Sequence, residues 1–218
     1  MINFTSRFFI IDTNITLCYT VHMSTGKTNI TQHRFARLAL LGEIVFHIDD
    51  LANLWQISNS NTLHTTLKRY VQQGLLFRVY RGFYAIKPVN KIDAFLLGQK
   101  ALHSYSYVST ETILVQEGII QQKMNYITFV SSKSLKFSIG ENNYKSRQLN
   151  ENYLYNDCEI IKKDGIMIAT LERAVADLLY FNPKAHLDGA NFINWKKVNE
   201  IQKKIGYPTI KRLTNKKI

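Results

Sequence analysis

Between Leu51 and Lys91 the chain carries no acidic residue, although that stretch holds helical and hairpin patterns that would tolerate one. The segment from Asp49 to Lys87 constrains the fold more than any other. Asp49 and Asp50 suit the start of a short helix, as caps and by charge. Leu51, Leu54 and Trp55 share one face of it. Ile57 and the Ser58-Asn59-Ser60-Asn61 cluster break that helix and offer new caps. A second helix is expected over about 61–73, with Leu63, Leu67, Tyr70 and Val71 as its apolar stripe. Gly74 falls where a left-handed cap belongs. Leu75 to Val79 and Phe83 to Ile86 are β-rich and flank Tyr80-Arg81-Gly82, which reads as a hairpin.

The second helix decides what such a module could touch. With Leu67 inward, Asn61, Thr62, Thr65, Arg69 and Gln72 point outward, flanked by Thr66 and Lys68. Amide, hydroxyl and basic groups without a carboxylate suit the major groove of DNA. Asn61, Thr62 and Thr65 are the candidates for base edges, and Lys68 and Arg69 for phosphates. Arg78, Tyr80 and Arg81 on the hairpin are phosphate or minor-groove candidates. A plain solvated helix on a small core is the competing reading. Upstream, a helix from about Thr31 with Phe35, Leu38, Ala39 and Leu41 inward, capped by Asn29 or Thr31, would end at Gly42. A strand at Val45 to Ile48 would then pair with the hairpin. The order helix, strand, helix, helix, hairpin over 29–88 is a winged helix-turn-helix.

Charge supports a polyanionic partner. The net charge of +12 is uneven. Residues 1–90 carry nine basic and four acidic side chains, residues 91–195 eleven of each, and residues 196–218 eight basic against Glu200 alone. Basic ends around a neutral middle suggest a polyanion footprint, although a solvated lysine face would look the same. No apolar run approaches the roughly 20 residues of a membrane span. Phe8 to Ile11 is too short for a signal-peptide core. Cys18 and Cys158 suggest no disulfide framework, so a cytoplasmic location is the expectation. Residues 1–28 read as an N-terminal extension, either without fixed structure or upstream of a start at Met23.

Pro88-Val89-Asn90 reads as a domain boundary. Beyond it, helices are expected over 92–102, 111–117 (started by Ser109) and 195–205, with a further one capped by Thr170. Strands are expected over 126–131, 135–139, 143–149 and 165–169. The expected class is α+β, with the winged helix-turn-helix followed by a mixed α/β domain over 89–205 and a basic tail over 206–218.

The chain lacks the common enzyme signatures. The six histidines form no HxH or HxxxH pair, and the two cysteines have no zinc-ligand spacing. No P-loop or GxGxxG occurs. A nuclease is the sensible rival, yet no Asp-x-Lys or Glu-x-Lys pair exists in the chain. Asp157 and Glu159 would share a face if they lay on a strand and could hold a divalent ion. A solvated strand edge beside Lys162 and Lys163 is the simpler reading. The expectation is a non-enzymatic protein without cofactor, and the alternative is a DNA-targeted, nuclease-like enzyme or subunit with an unrecognised C-terminal site.

Three stretches carry a family resemblance: the hairpin text Gly74 to Ala85; Tyr107-Val108-Ser109-Thr110-Glu111-Thr112-Ile113-Leu114 followed by Gly118-Ile119-Ile120; and Ile168 to Leu179, which contains Thr170-Leu171-Glu172-Arg173 and Asp177. In this order the chain resembles the AbiEi antitoxin family of type IV toxin–antitoxin systems, over about 31–205. The resemblance implies a repressor of its own operon that binds double-stranded promoter DNA, on inverted half-sites as such repressors often do. It also implies a C-terminal domain that counters a nucleotidyltransferase-like toxin without a stable complex, as part of abortive infection. Glu172, Arg173 and Asp177 are then signature residues. Arg173 and Asp177, four apart, suit an internal ion pair.

Overall fold

A computed structural model of the chain describes residues 30–208. The described residues form a mixed α+β structure with two sheets. The first part runs α1 (Ile30–Leu41), β1 (Val45–His47), α2 (Ile48–Trp55), α3 (Ser60–Gln72), β2 (Phe77–Tyr80) and β3 (Phe83–Ala85). Its sheet is antiparallel in the order β1-β3-β2. The second part runs α4 (Ala94–Leu102), β4 (Ser106–Val108), α5 (Glu111–Gln116), β5 (Ile127–Ser131), β6 (Leu135–Ile139), β7 (Asn142–Gln148), α6 (Glu151–Leu154), β8 (Ile160–Lys163), β9 (Ile166–Ala169), α7 (Leu171–Phe181) and α8 (Trp195–Ile205). Its six strands lie in the order β6-β7-β5-β4-β9-β8, with β5/β7 and β4/β9 parallel and the other neighbours antiparallel.

Side-chain alternation sets the layers of this large sheet. Phe129 on β5 and Tyr144 on β7 face α4, where both rings reach the place a Cβ on Gly98 would occupy. On the opposite face Thr128 bonds Thr112 of α5, and Ser109, just after β4, bonds Asp177 of α7. Helix α4 therefore stands between the large sheet and the first part of the chain.

The small sheet is a wall shared by two cores. In register, Phe46 pairs with Tyr84, and Val45 with Ala85. Phe46 and Tyr84 join Leu38, Leu51, Trp55, Leu63, Leu67, Tyr70 and Leu76 in one apolar cluster. Val45, Phe83 and Ala85 belong instead to the large cluster of the second part. This is why all three residues of β3 are buried. Contacts across the wall include a Lys100–Glu43 ion pair at 2.7 Å and a Tyr80–Phe137 ring pair at 5.4 Å. His103, at the end of α4, packs against His47 at 4.2 Å and Phe83 at 5.6 Å.

Several expected details differ. Ala39 and Leu41 are exposed, because the packed face of α1 follows Leu38 and Phe35. Asn29 lies outside the described residues, and Thr31 sits inside α1 rather than capping it. The cap of α2 is His47, whose Nδ1 accepts from Asp49 N while its own N donates to Asp50 Oδ2. Asp50 thus closes the cap from inside the helix. Ser109 does not start α5. Its hydroxyl is turned inward to Asp177, and Thr110 precedes the helix at φ 55°. That left-handed conformation is costly for a β-branched residue. Thr128 supports it by bonding both the Ser109 carbonyl and Thr110 Oγ1.

Asp157 and Glu159 lie in the connection before β8, not on a strand. Glu159 pairs with Lys197 on α8 at 2.8 Å, not with Lys162 or Lys163. The expected basic tail from 206 begins with an integrated residue, since Tyr207 is buried. Expectations for residues 1–28 lie outside the described residues. No helix among the described residues is long and apolar enough to cross a membrane.

Candidate nucleic-acid interface

Helix α3 begins at Asn59, whose side chain accepts from Thr62 N at 3.0 Å and from the Thr62 hydroxyl at 3.3 Å. Such a cap satisfies a backbone donor that water would otherwise have to meet. The Thr62 hydroxyl is exposed and rotates, so it can donate to or accept from an outside partner. Leu63, Leu67 and Tyr70 are buried as the stripe requires, and the helix ends in Gly74 at φ 70°.

Of the nine candidate contacts, Asn61, Thr62, Thr65, Lys68 and Arg69 on α3 and Arg78 and Arg81 on the hairpin are exposed. Thr66 is corrected: it is 7% exposed and packs with the inner stripe, one turn from Leu63 and Tyr70. A residue 100° from Leu67 on the core side has no route to a groove. Arg69 lies with its guanidinium 5.4 Å from the Tyr70 ring, so it leans along the module's flank. His64 was not singled out from the sequence, yet it is exposed among Asn61, Thr65 and Lys68. Its position three after Asn61 and four before Lys68 is the signal that could have found it.

The hairpin is docked rather than free. Tyr80 is half-buried against Phe137, and Val79 packs toward the same large cluster. Between Arg78 and Tyr80 the register shifts by a bulge. Such a bulge re-aims side chains. Here Tyr80 packs inward while Arg78 and Arg81 stay exposed. Gly82, at φ 71°, turns the chain, and its carbonyl accepts from Ile48 N at 2.8 Å. That bond ties the hairpin tip to the start of α2. The resulting surface joins amide, hydroxyl, imidazole and cationic groups on rigid elements. It can donate to phosphate oxygens and to base edges.

The second motif pair is brought together in the interior. Arg173 and Asp177 are both fully buried and pair at 2.9 Å. Arg173 also donates to the carbonyls of Asn156 and Cys158, each at 2.9 Å, and to Tyr107 OH at 2.8 Å. Asp177 accepts from Ser109 at 2.8 Å and from Tyr207 at 2.6 Å. Burial pushes the Tyr107 hydroxyl well above its ordinary value, and Asp177 adds to that. Burial works against the Arg173 charge, but Asp177 and the two tyrosines outweigh it and hold it more firmly protonated than usual. Both side chains are closed off from solvent and bonded within the protein, as a structural ion pair requires. Among the described residues no group of three or more His, Cys, Asp or Glu could hold a metal ion.

No protein-family profile matches the chain, and no curated protein matches it.

Proposed function

We propose that this chain is a cytoplasmic, winged-helix DNA-binding autorepressor and the antitoxin of a type IV toxin–antitoxin system. The observation that carries the reading is the exposed face of α3. There Asn61, Thr62, His64, Thr65 and Lys68 stand together on a capped helix with no carboxylate among them. A helix so equipped matches the donor and acceptor pattern of the major groove. Asn61, His64 and Thr65 read bases, Lys68 and Arg69 hold phosphates, and Arg78 and Arg81 grip the backbone alongside. The docked hairpin carries the orientation of the second part into that contact.

The antitoxin half rests on the resemblance. It draws support from the way Tyr107 and Ser109 of one motif bond Arg173 and Asp177 of the other. Residues shared as a pattern in two separate stretches thus serve one structural unit. On this reading the functional partner is a nucleotidyltransferase-like toxin that the chain opposes without a lasting complex.

The test is a footprint on the chain's own upstream DNA, with competitor DNA and magnesium present. A protected, paired site that survives competition supports the autorepressor. Cleavage of the probe, or no protection above background, would overturn it.

A further inference from the structure

A second basic site lies on the first part of the chain, outside the α3 face. His33, Arg34 and Arg37 on α1 and Trp55 and Gln56 at the end of α2 line a concavity of about 390 Å³, with Ile30 at its edge. Its two guanidinium groups are held in place. Arg34 donates to Tyr70 OH at 3.2 Å and lies 5.6 Å from the Trp55 ring centre. Arg37 donates to the Leu54 carbonyl at 2.7 Å. Trp55 is itself fixed, since its indole N–H donates to the Arg34 carbonyl at 3.3 Å.

Each guanidinium has five N–H donors, and among the described residues each spends one nitrogen on these contacts. Neither forms an ion pair with a described carboxylate. Helix α1 has no acidic residue, and Asp12 is the sole acid outside the described residues. Asp49 and Asp50 sit at the opposite end of α2 from Trp55, and Glu43 is taken by Lys100. Burial would raise the Tyr70 hydroxyl, yet its bonds with Thr31 and Arg34 and the Arg34 charge lower it overall. Preorganised, unneutralised guanidinium forks beside an imidazole and an amide form a receptor for a tetrahedral oxyanion.

We propose that His33, Arg34, Arg37 and Gln56 form a phosphate-binding site, filled either by a backbone phosphate of bound DNA or by a free phosphoanion. The DNA source rests on the proposed DNA-binding function; the free-anion source does not. Two arms separate them on the full chain. In the first, inorganic phosphate is titrated by calorimetry and by the His33 ring resonance. Arg37→Gln should weaken saturable binding at least tenfold. His33→Glu, an exposed position without a packing role, should abolish it. In the second, DNA affinity is measured against salt. A lost phosphate contact should flatten the log–log slope of Arg37→Gln by about 0.9.

A change in the DNA arm alone assigns the site to the DNA backbone, and a change in the phosphate arm alone to a free anion. If phosphate binding is absent or indifferent to both variants, and the salt slope is also unchanged, the site is overturned. Failure of the chain to bind DNA would sink the proposed function but leave the phosphate arm to decide this site.

Discussion

Tyr207 donates to the same Asp177 oxygen that accepts from Arg173 Nε, at 2.6 Å and 2.9 Å. Residues just beyond α8 are thereby locked to the middle of α7, and the ion pair is completed by the chain's C-terminal part. Asp177→Asn leaves Arg173 charged, buried and unpaired. Unfolding in urea should show a loss of about 3–5 kcal/mol. Tyr207→Phe removes one charge-assisted bond and should cost about 1.5–3 kcal/mol. The two losses should be less than additive, because they share one oxygen. Full additivity would mean that the Tyr207 hydroxyl acts independently of Asp177.

Gly98 lets α4 lie against the large sheet. A Cβ there would stand 2.6 Å from Tyr144 Cδ1 and 2.7 Å from Phe129 Cε2. Both rings are fully buried and have no space to retreat. Gly98→Ala should therefore destabilise by about 1–3 kcal/mol despite its better helix propensity. A neutral or stabilising result in thermal unfolding would contradict this packing.

Burial, with the Asp93 charge behind it, pushes the Tyr144 hydroxyl up to about 12. The unfolded chain releases that proton near its ordinary value of about 10. Between those values the folded state binds more protons than the unfolded one, so stability falls as pH rises. The contribution is fully present below pH 10 and is lost by about pH 12. Its size should be on the order of 2 kcal/mol. Tyr144→Phe should flatten the decline in urea midpoints across this window. An unchanged slope would show that the tyrosine is not protected.

Much of this architecture is legible in the sequence, and the omissions share a physical cause. The bounds of α8 follow from Val198, Ile201 and Ile205 at helical spacing with lysines between them. The stripe of α3 is as clear, and Gly74 marks its end. Strand β4 is hidden because Ser104 to Tyr107 alternates serine and tyrosine, and the hydroxyls of Tyr107 and Ser109 find their partners only far along the chain, at Arg173 and Asp177. Strand β8 reads Ile-Ile-Lys-Lys and is a strand because β9 pairs with it. Thr66 is hydroxylated yet buried, which composition cannot reveal. The docking of Tyr80 on Phe137 joins residues 57 positions apart, and no local pattern encodes it. Arg34 and Arg37 are site residues only because α1 and the end of α2 come together, whereas His64 is legible from its helical spacing to Asn61 and Lys68.

Burial also divides the candidate contacts into two groups. Thr66→Val fills the same inward space and should leave DNA affinity unchanged within twofold. Tyr80→Ala removes the ring against Phe137 and should loosen the hairpin from the second part of the chain. Limited proteolysis at the hairpin should read that loosening. A large loss of DNA affinity in Thr66→Val would mean that α3 presents a different face.

The most direct measurement is competitive binding of the chain and its variants to its upstream DNA and to a scrambled duplex of equal length. Asn61→Ala and Thr65→Ala should each weaken upstream binding by about 1–3 kcal/mol while sparing the scrambled duplex. Arg81→Ala should weaken both alike and reduce the salt slope. If all three variants lose affinity equally on both duplexes, α3 touches DNA without reading its sequence and the operator-specific proposal fails; if none loses any, neither α3 nor the hairpin contacts DNA and the DNA-binding proposal fails.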